Sequence, residues 1–294
     1  MEILNDTEEQ KKPNNNRLLH DFPTSLLNFR IPPITKLIFF FTGWLGLNLI
    51  ALFLSLIMQL TPYFDTETGN ISPFGSSVYQ FLVYLILACI FLGIIFFSKR
   101  KYYKDFWEDL KGGKHYIFVL YGFLGILLVN IVFNFIFSFV PFYGQNANQD
   151  TIEGMMGASP VLAFFMIVIL GPFCEEMTYR LGLCDSLSKK SRWKGIILSA
   201  IFFGLIHFNI PLVINAIVEP TQGNIELMAI EFMNLPTYIL SGIVLAFVYA
   251  KSGKISSSLG AHILVNLYSF VSFFILQAVN NSGATNTVVS FFLR

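Results

Sequence analysis

The sequence predicts an all-α fold, a polytopic membrane helical bundle of about seven to eight transmembrane helices, and three observations carry that expectation. Of the 294 residues 54% are hydrophobic and 13% charged, with mean hydropathy +0.63; soluble domains carry about 25% charge. Apolar runs of about 20 residues, the length that crosses a bilayer, recur along the whole chain. The basic residues then alternate from one connection to the next, as orientation by Lys and Arg requires.

Taken in order, residues 1–36 form a polar segment with Lys11, Lys12, Pro13 and an Asn14-Asn15-Asn16 run. It lacks the early apolar core of a signal peptide and reads as a cytoplasmic tail. Residues 37–159 hold the N-terminal spans Leu37–Leu60, Val78–Phe97 and Tyr116–Val140. Residues 160–279 form the unit that carries the candidate chemistry, with the spans Val161–Arg180, Gly195–Ile210 (short), Phe232–Ala250 and Ile255–Val279. Between Pro211 and Glu231 lies a half-polar segment that fits an outer loop, an interfacial helix or a re-entrant piece. Residues 280–294 are a short C-terminal tail.

Residues 1–36 hold five Lys/Arg, 98–115 six and 188–194 four, and Lys251 and Lys254 occupy the turn between the last two spans, whereas 61–77, 141–160 and 211–231 hold none. Seven spans with the N-terminus cytoplasmic fit this alternation. An integral protein of a bacterial plasma membrane is expected, with the bilayer and a peptide or protein substrate as partners and no nucleic acid. Cys89, Cys174 and Cys184 lack paired C-x-x-C spacing, which argues against a disulfide framework or a thiolate metal site; they read as buried apolar cysteines.

The stretch Gly171-Pro172-Phe173-Cys174-Glu175-Glu176-Met177-Thr178-Tyr179-Arg180 places two carboxylates and a guanidinium at the end of an apolar run. Ionisable groups within a membrane segment cost about 2.5–3.5 kcal/mol each on insertion scales and mark function. Glu176 and Arg180 are four apart, suited to an ion pair. Glu175 lies about 100° round the helix from Glu176, so the two acids take different roles and Glu175 is left to face the bundle. Phe203 and His207 share a helix face, as do His262 and Asn266. A lone membrane histidine is often just an interhelical hydrogen-bond partner; here each sits in a pattern. A buried carboxylate near a histidine can act as general base on water, and a histidine and an asparagine one turn apart can donate to an oxyanion. His20 and His115 read as solvated side chains. Gly-x-Ser-x-Gly and His-Glu-x-x-His are absent. Counted at 1.5 Å per residue, His207 comes out about 10 Å nearer the outer surface than Glu175 and His262.

Together, Glu175-Glu176-x-x-x-Arg180, Phe203-x-x-x-His207 and His262-x-x-x-Asn266 resemble the ordered motifs of the CPBP family of intramembrane proteases. That family comprises CAAX prenyl endoproteases and bacteriocin-processing enzymes, also called Abi proteins. The resemblance covers about residues 160–270. It implies that Glu175, assisted by His207, activates water, that His262 and Asn266 stabilise the oxyanion, that Glu176 and Arg180 hold the helix and tune the site, and that Phe203 packs behind His207. It implies a metal-independent glutamate protease with no cofactor, although a Glu/His/His/Asn set can also bind zinc. One departure is local: Leu181 follows Arg180 where the family usually has Gly, and Gly182 comes next.

The function expected is an intramembrane endopeptidase acting on a CAAX-type substrate or, preferred on composition, in bacteriocin or peptide maturation and self-immunity. The alternative is a non-proteolytic membrane scaffold or regulator with the same fold. A transporter is disfavoured because no inverted repeat is detectable.

Overall fold

The computed structural model describes residues 31–281, apart from 99, 112, 114 and 188–190. The expected tail 1–36 therefore falls outside it for residues 1–30, with His20, and the C-terminal tail does so beyond Asn281. The described chain is a helical membrane bundle. Its elements are α1 (Pro33–Met58), a short hairpin of β1 (Phe64–Asp65) and β2 (Asn70–Ile71), α2 (Pro73–Ser98), α3 (Arg100–Leu110), α4 (Tyr116–Phe137) and α5 (Ala147–Ala158). Then come α6 (Pro160–Leu187), α7 (Arg192–Ile206), α8 (Ile210–Val218), α9 (Gln222–Ser252) and α10 (Ile255–Asn281).

Six of these, α1, α2, α4, α6, α9 and α10, are long and apolar enough to cross a membrane. A seventh crossing exists if α7 and α8, bent by 62° at the break between them, count as one span. The segment 211–231 is thus helical on both sides of a short turn: α8 takes its first part, and α9 begins at Gln222, ten residues before the apolar run at Phe232. Asn209 caps α8 by accepting from Leu212 N, and Thr221 caps α9 by accepting from Asn224 N, which is how a polar stretch starts two helices. Helices also occupy two connections read as loops. The connection 98–115 holds α3, which turns Phe106 inward and leaves Trp107 exposed, and 141–160 holds α5, capped by Asn146.

Buried contacts explain where α3 goes. Asp109 is fully buried; its carboxylate accepts from Ser256 N at 2.9 Å, and Ser256 Oγ donates to Asp109 O at 2.7 Å. An acid from α3 thus serves an orphan amide in the first turn of α10. His115 Nε2 lies 3.3 Å from Ser256 Oγ, so it is half-buried against this junction. Burial pushes the Asp109 carboxyl up and the His115 imidazole down from their ordinary values. Both shifts favour the uncharged forms, as a junction withdrawn from water should. Cys174 and Cys184 are buried as expected, whereas Cys89 faces outward from the bundle.

The core runs between α1, α2, α6, α9 and α10 through Phe39, Leu87, Phe91, Met177, Leu181, Tyr249 and Ile255. A second cluster, Ile126, Tyr179, Phe203, Leu245, Ala261 and Val265, lies beneath the polar site. α1 is held to α6 by the buried pair Lys36–Asp185 and by glycine at the closest approach. A Cβ on Gly182 would lie 2.7 Å from Phe40 N and 3.0 Å from Phe40 Cα, backbone atoms that cannot swing away. The glycine after Leu181 is therefore the one that admits a neighbouring helix, and Leu181 itself is fully buried in the core. Gly182→Ala is expected to cost about 1–3 kcal/mol, as overpacking does, read as a lower Tm in detergent. Gly223→Ala, where nothing lies within 4 Å, should leave Tm unchanged or raise it.

Candidate active site

The site forms where α6, α7 and α10 meet. α6 is not a uniform helix: Phe164–Leu170 and Met177–Cys184 are wound as π-helix, flanking the α-helical turn Gly171–Glu176 that bears both acids. Such segments are uncommon and recur at functional sites. Glu176 and Arg180 are both fully buried, and Arg180 Nε donates to Glu176 Oε2 at 3.0 Å. The guanidinium also lies over the Phe203 ring, 4.9 Å from its centroid, a favourable cation–π position.

His262 stands between the two acids. Its Nδ1 is 3.1 Å from Glu176 Oε1 and its Nε2 is 3.6 Å from Glu175 Oε2. Glu176 is a carboxylate already paired with Arg180, so it accepts and His262 Nδ1 donates. That leaves Nε2 directed to Glu175. Glu175 Oε2 is itself buried with no hydrogen-bond partner among the described residues. An unpartnered carboxylate oxygen is costly in a dry interior, and here it borders a cavity lined by Gly43, Tyr84, Cys174, Thr178 and Tyr179. The cavity leaves about 10 Å³ open to the centre of a water molecule, close to the least space one water needs.

His207 caps the end of α7, at the break before α8. Its Nδ1 lies 2.8 Å from Phe203 O. A carbonyl only accepts, so Nδ1 carries the proton and the neutral ring presents a bare Nε2. Phe203 links the histidines, with its centroid 4.9 Å from that of His207 and 5.8 Å from that of His262. The offset in depth expected from residue counting does not separate them.

Asn266 Nδ2 donates to Ile167 O at 2.8 Å, and the backbone explains why that carbonyl is available. The amide four residues on, Gly171 N, is spent on Met166 O. The amide five residues on would be that of Pro172, which has no N–H. Asn266 supplies the missing donor and keeps one amide hydrogen for other use. Of the seven residues singled out by spacing, Glu175, Glu176, Arg180, Phe203, His207 and His262 are joined by direct contacts, and Asn266 lies one helical turn beyond His262 on α10, bonded to α6 at Ile167. Among the described residues no three His, Cys, Asp or Glu side chains converge closely enough to hold a metal ion.

Several neighbours have no signature in the spacing. Tyr238 of α9 stacks on His207 with centroids 4.4 Å apart and planes 15° apart. Glu231, also buried, accepts from Ala147 N and Asn209 N, each at 3.0 Å. Glu231 immediately precedes the apolar run at Phe232, so an acid at a span boundary was the available signal; Tyr238, an aromatic in an apolar helix, offered none.

The segment that carries these residues also has counterparts among known proteins. Residues 157–268 match the family described as Type II CAAX prenyl endopeptidase Rce1-like. The UPF0177 protein YvdC of Lactococcus lactis subsp. lactis (strain IL1403) is 22% identical over 159 residues, 54% of this chain. That match spans about half of the curated relative, 53% of its length. No solved structure matches. The membrane segment that carries the Glu175–Arg180, Phe203–His207 and His262–Asn266 patterns lies within the residues that match the Rce1-like CAAX prenyl endopeptidase family, a family of proteases.

Proposed function

We propose that this chain is an intramembrane endopeptidase that hydrolyses a peptide bond with a water activated by Glu175. The observation that carries the reading is the split between the two acids: Glu176 is committed to Arg180 and His262, while Glu175 Oε2 is buried, unpartnered and 3.6 Å from His262 Nε2. A water beside Glu175 gives a proton to the carboxylate as its oxygen attacks the scissile carbonyl carbon. The bare Nε2 of His207, within electrostatic reach of Glu175, accepts the water's second hydrogen bond. The proton passes from Glu175 to His262 Nε2 and on to the departing amide nitrogen as the carbon–nitrogen bond breaks. Asn266's remaining amide hydrogen and the proton on His262 Nε2 serve the oxyanion in between, in a water-poor site where such donors count most.

In this reading no metal takes part, the N-terminus and the basic connections 98–115 and 188–194 face the cytoplasm, and the membrane is a bacterial plasma membrane. The substrate is a membrane-associated peptide or protein, either a CAAX-type chain end or, as preferred here, a bacteriocin or other peptide precursor.

The test uses the full chain purified in detergent with a farnesylated CAAX peptide and bacteriocin leader peptides as probes. Glu175→Gln should lower turnover by about 10²–10⁴-fold, the range of general-base loss, with wild-type Tm; undiminished cleavage would remove Glu175 from the chemistry. Activity that survives a strong chelator supports the metal-free reading, and loss in chelator restored by zinc would replace it. Asn266→Ala should lower kcat by about 10²–10³-fold with little change in KM; a change confined to KM would end its assignment as an oxyanion donor. Arg180→Met strands Glu176 as a buried uncompensated charge and should cost about 3–5 kcal/mol, seen as a fall in Tm that Glu175→Gln does not show.

A further inference from the structure

We infer that Tyr238 is the positioning residue for His207, fixing the plane of its ring by stacking on it; the inference rests on the proposed role of His207. A side chain at the end of a helix has fewer neighbours than one in its middle, and α7 stops at Ile206. One hydrogen bond, from Nδ1 to Phe203 O, fixes where one edge of the imidazole lies but leaves the ring free to tilt about that contact. The Tyr238 ring removes that freedom by lying nearly parallel at 4.4 Å.

Tyr238 is in turn anchored by its hydroxyl, which donates to Asn146 Oδ1 and accepts from Asn148 Nδ2, both at 3.3 Å. Asn146 and Asn148 flank Ala147 at the start of α5. The Ala147 amide is bonded by Glu231 Oε1, while Glu231 Oε2 takes the amide of Asn209, two residues past His207. The contacts therefore close on themselves: His207 to Tyr238, to the α5 terminus, to Glu231, and back to the backbone beside His207. The side chains of Tyr238 and Glu231 are each held at their far end by the α5 terminus, the arrangement by which a supporting layer holds a reactive group. Phe203 at 4.9 Å and Tyr238 at 4.4 Å together restrict the orientation of the ring.

Tyr238→Leu, Tyr238→Phe and the wild-type chain discriminate this role. Tyr238→Leu removes the stacked face and should reduce kcat by up to about 100-fold, as misplacement of a reacting group does, with KM little changed. Tyr238→Phe retains the face and should recover most of that loss. Nitrogen-15 NMR of labelled histidine, assigned with His207→Gln, reads the ring without reference to turnover. The wild type and Tyr238→Phe should give a single Nδ1–H tautomer for His207, and Tyr238→Leu an averaged or doubled signal. An unaltered His207 signal in Tyr238→Leu overturns the inference whether or not the chain cleaves any probe. So does Tyr238→Phe as damaged as Tyr238→Leu in both readouts. A wild-type chain inactive on every probe, with the tautomer lost in Tyr238→Leu as expected, would instead remove the protease reading and leave the positioning contact standing.

Discussion

A carboxylate and a guanidinium with no exposed surface persist in a bilayer as a pair and not singly, and the Glu176–Arg180 pair is the constraint on which the site depends. Desolvating two ions costs several kcal/mol apiece, and their attraction offsets this only with good geometry and further hydrogen bonds. Here the further contacts are His262 Nδ1 on Glu176 and the Phe203 ring beneath Arg180. The same contacts fix the tautomer of His262 and bring α7 and α10 to α6. One ion pair on one helix thus orients a histidine from a second and an aromatic from a third, while the adjacent Glu175 Oε2 has no hydrogen-bond partner among the described residues.

The helical membrane fold could be read from hydropathy, and Glu176 with Arg180, Phe203 with His207 and His262 with Asn266 stood out because each pair lies four residues apart. That spacing has a geometric meaning before any tertiary structure is known. The rest of the site lacks such a signature. Tyr238, Glu231 and Asn146 act across elements far apart in sequence, and α5 was hidden in a stretch whose mixed polarity resembles that of a loop. The junction of Asp109, His115 and Ser256 was missed for a related reason: a histidine in a basic connection reads as solvated until the helix beside it is known to fold back. The π-helical turns of α6 were also beyond reach, since windings of four and five residues give similar apolar stripes over so short a length.

Pro172 shows how local chemistry can set a long-range contact. Its missing N–H leaves the Ile167 carbonyl without a backbone donor, and Asn266, 99 residues later, makes up the deficit. A side chain with a prospective role in catalysis is therefore held in place by the repair of a backbone defect.

The bonds from α10 to α6, at His262–Glu176 and Asn266–Ile167, have a mechanical consequence. They pin the two helices at two levels, so sliding one past the other would break a buried hydrogen bond at each. Bilayers of different thickness are accommodated by tilting and by local deformation of lipid, at fractions of a kcal/mol per Å, which is less than such bonds cost to lose. Lipid chain length should therefore change how the pair leans in the membrane and leave the distances between its reacting groups as they are.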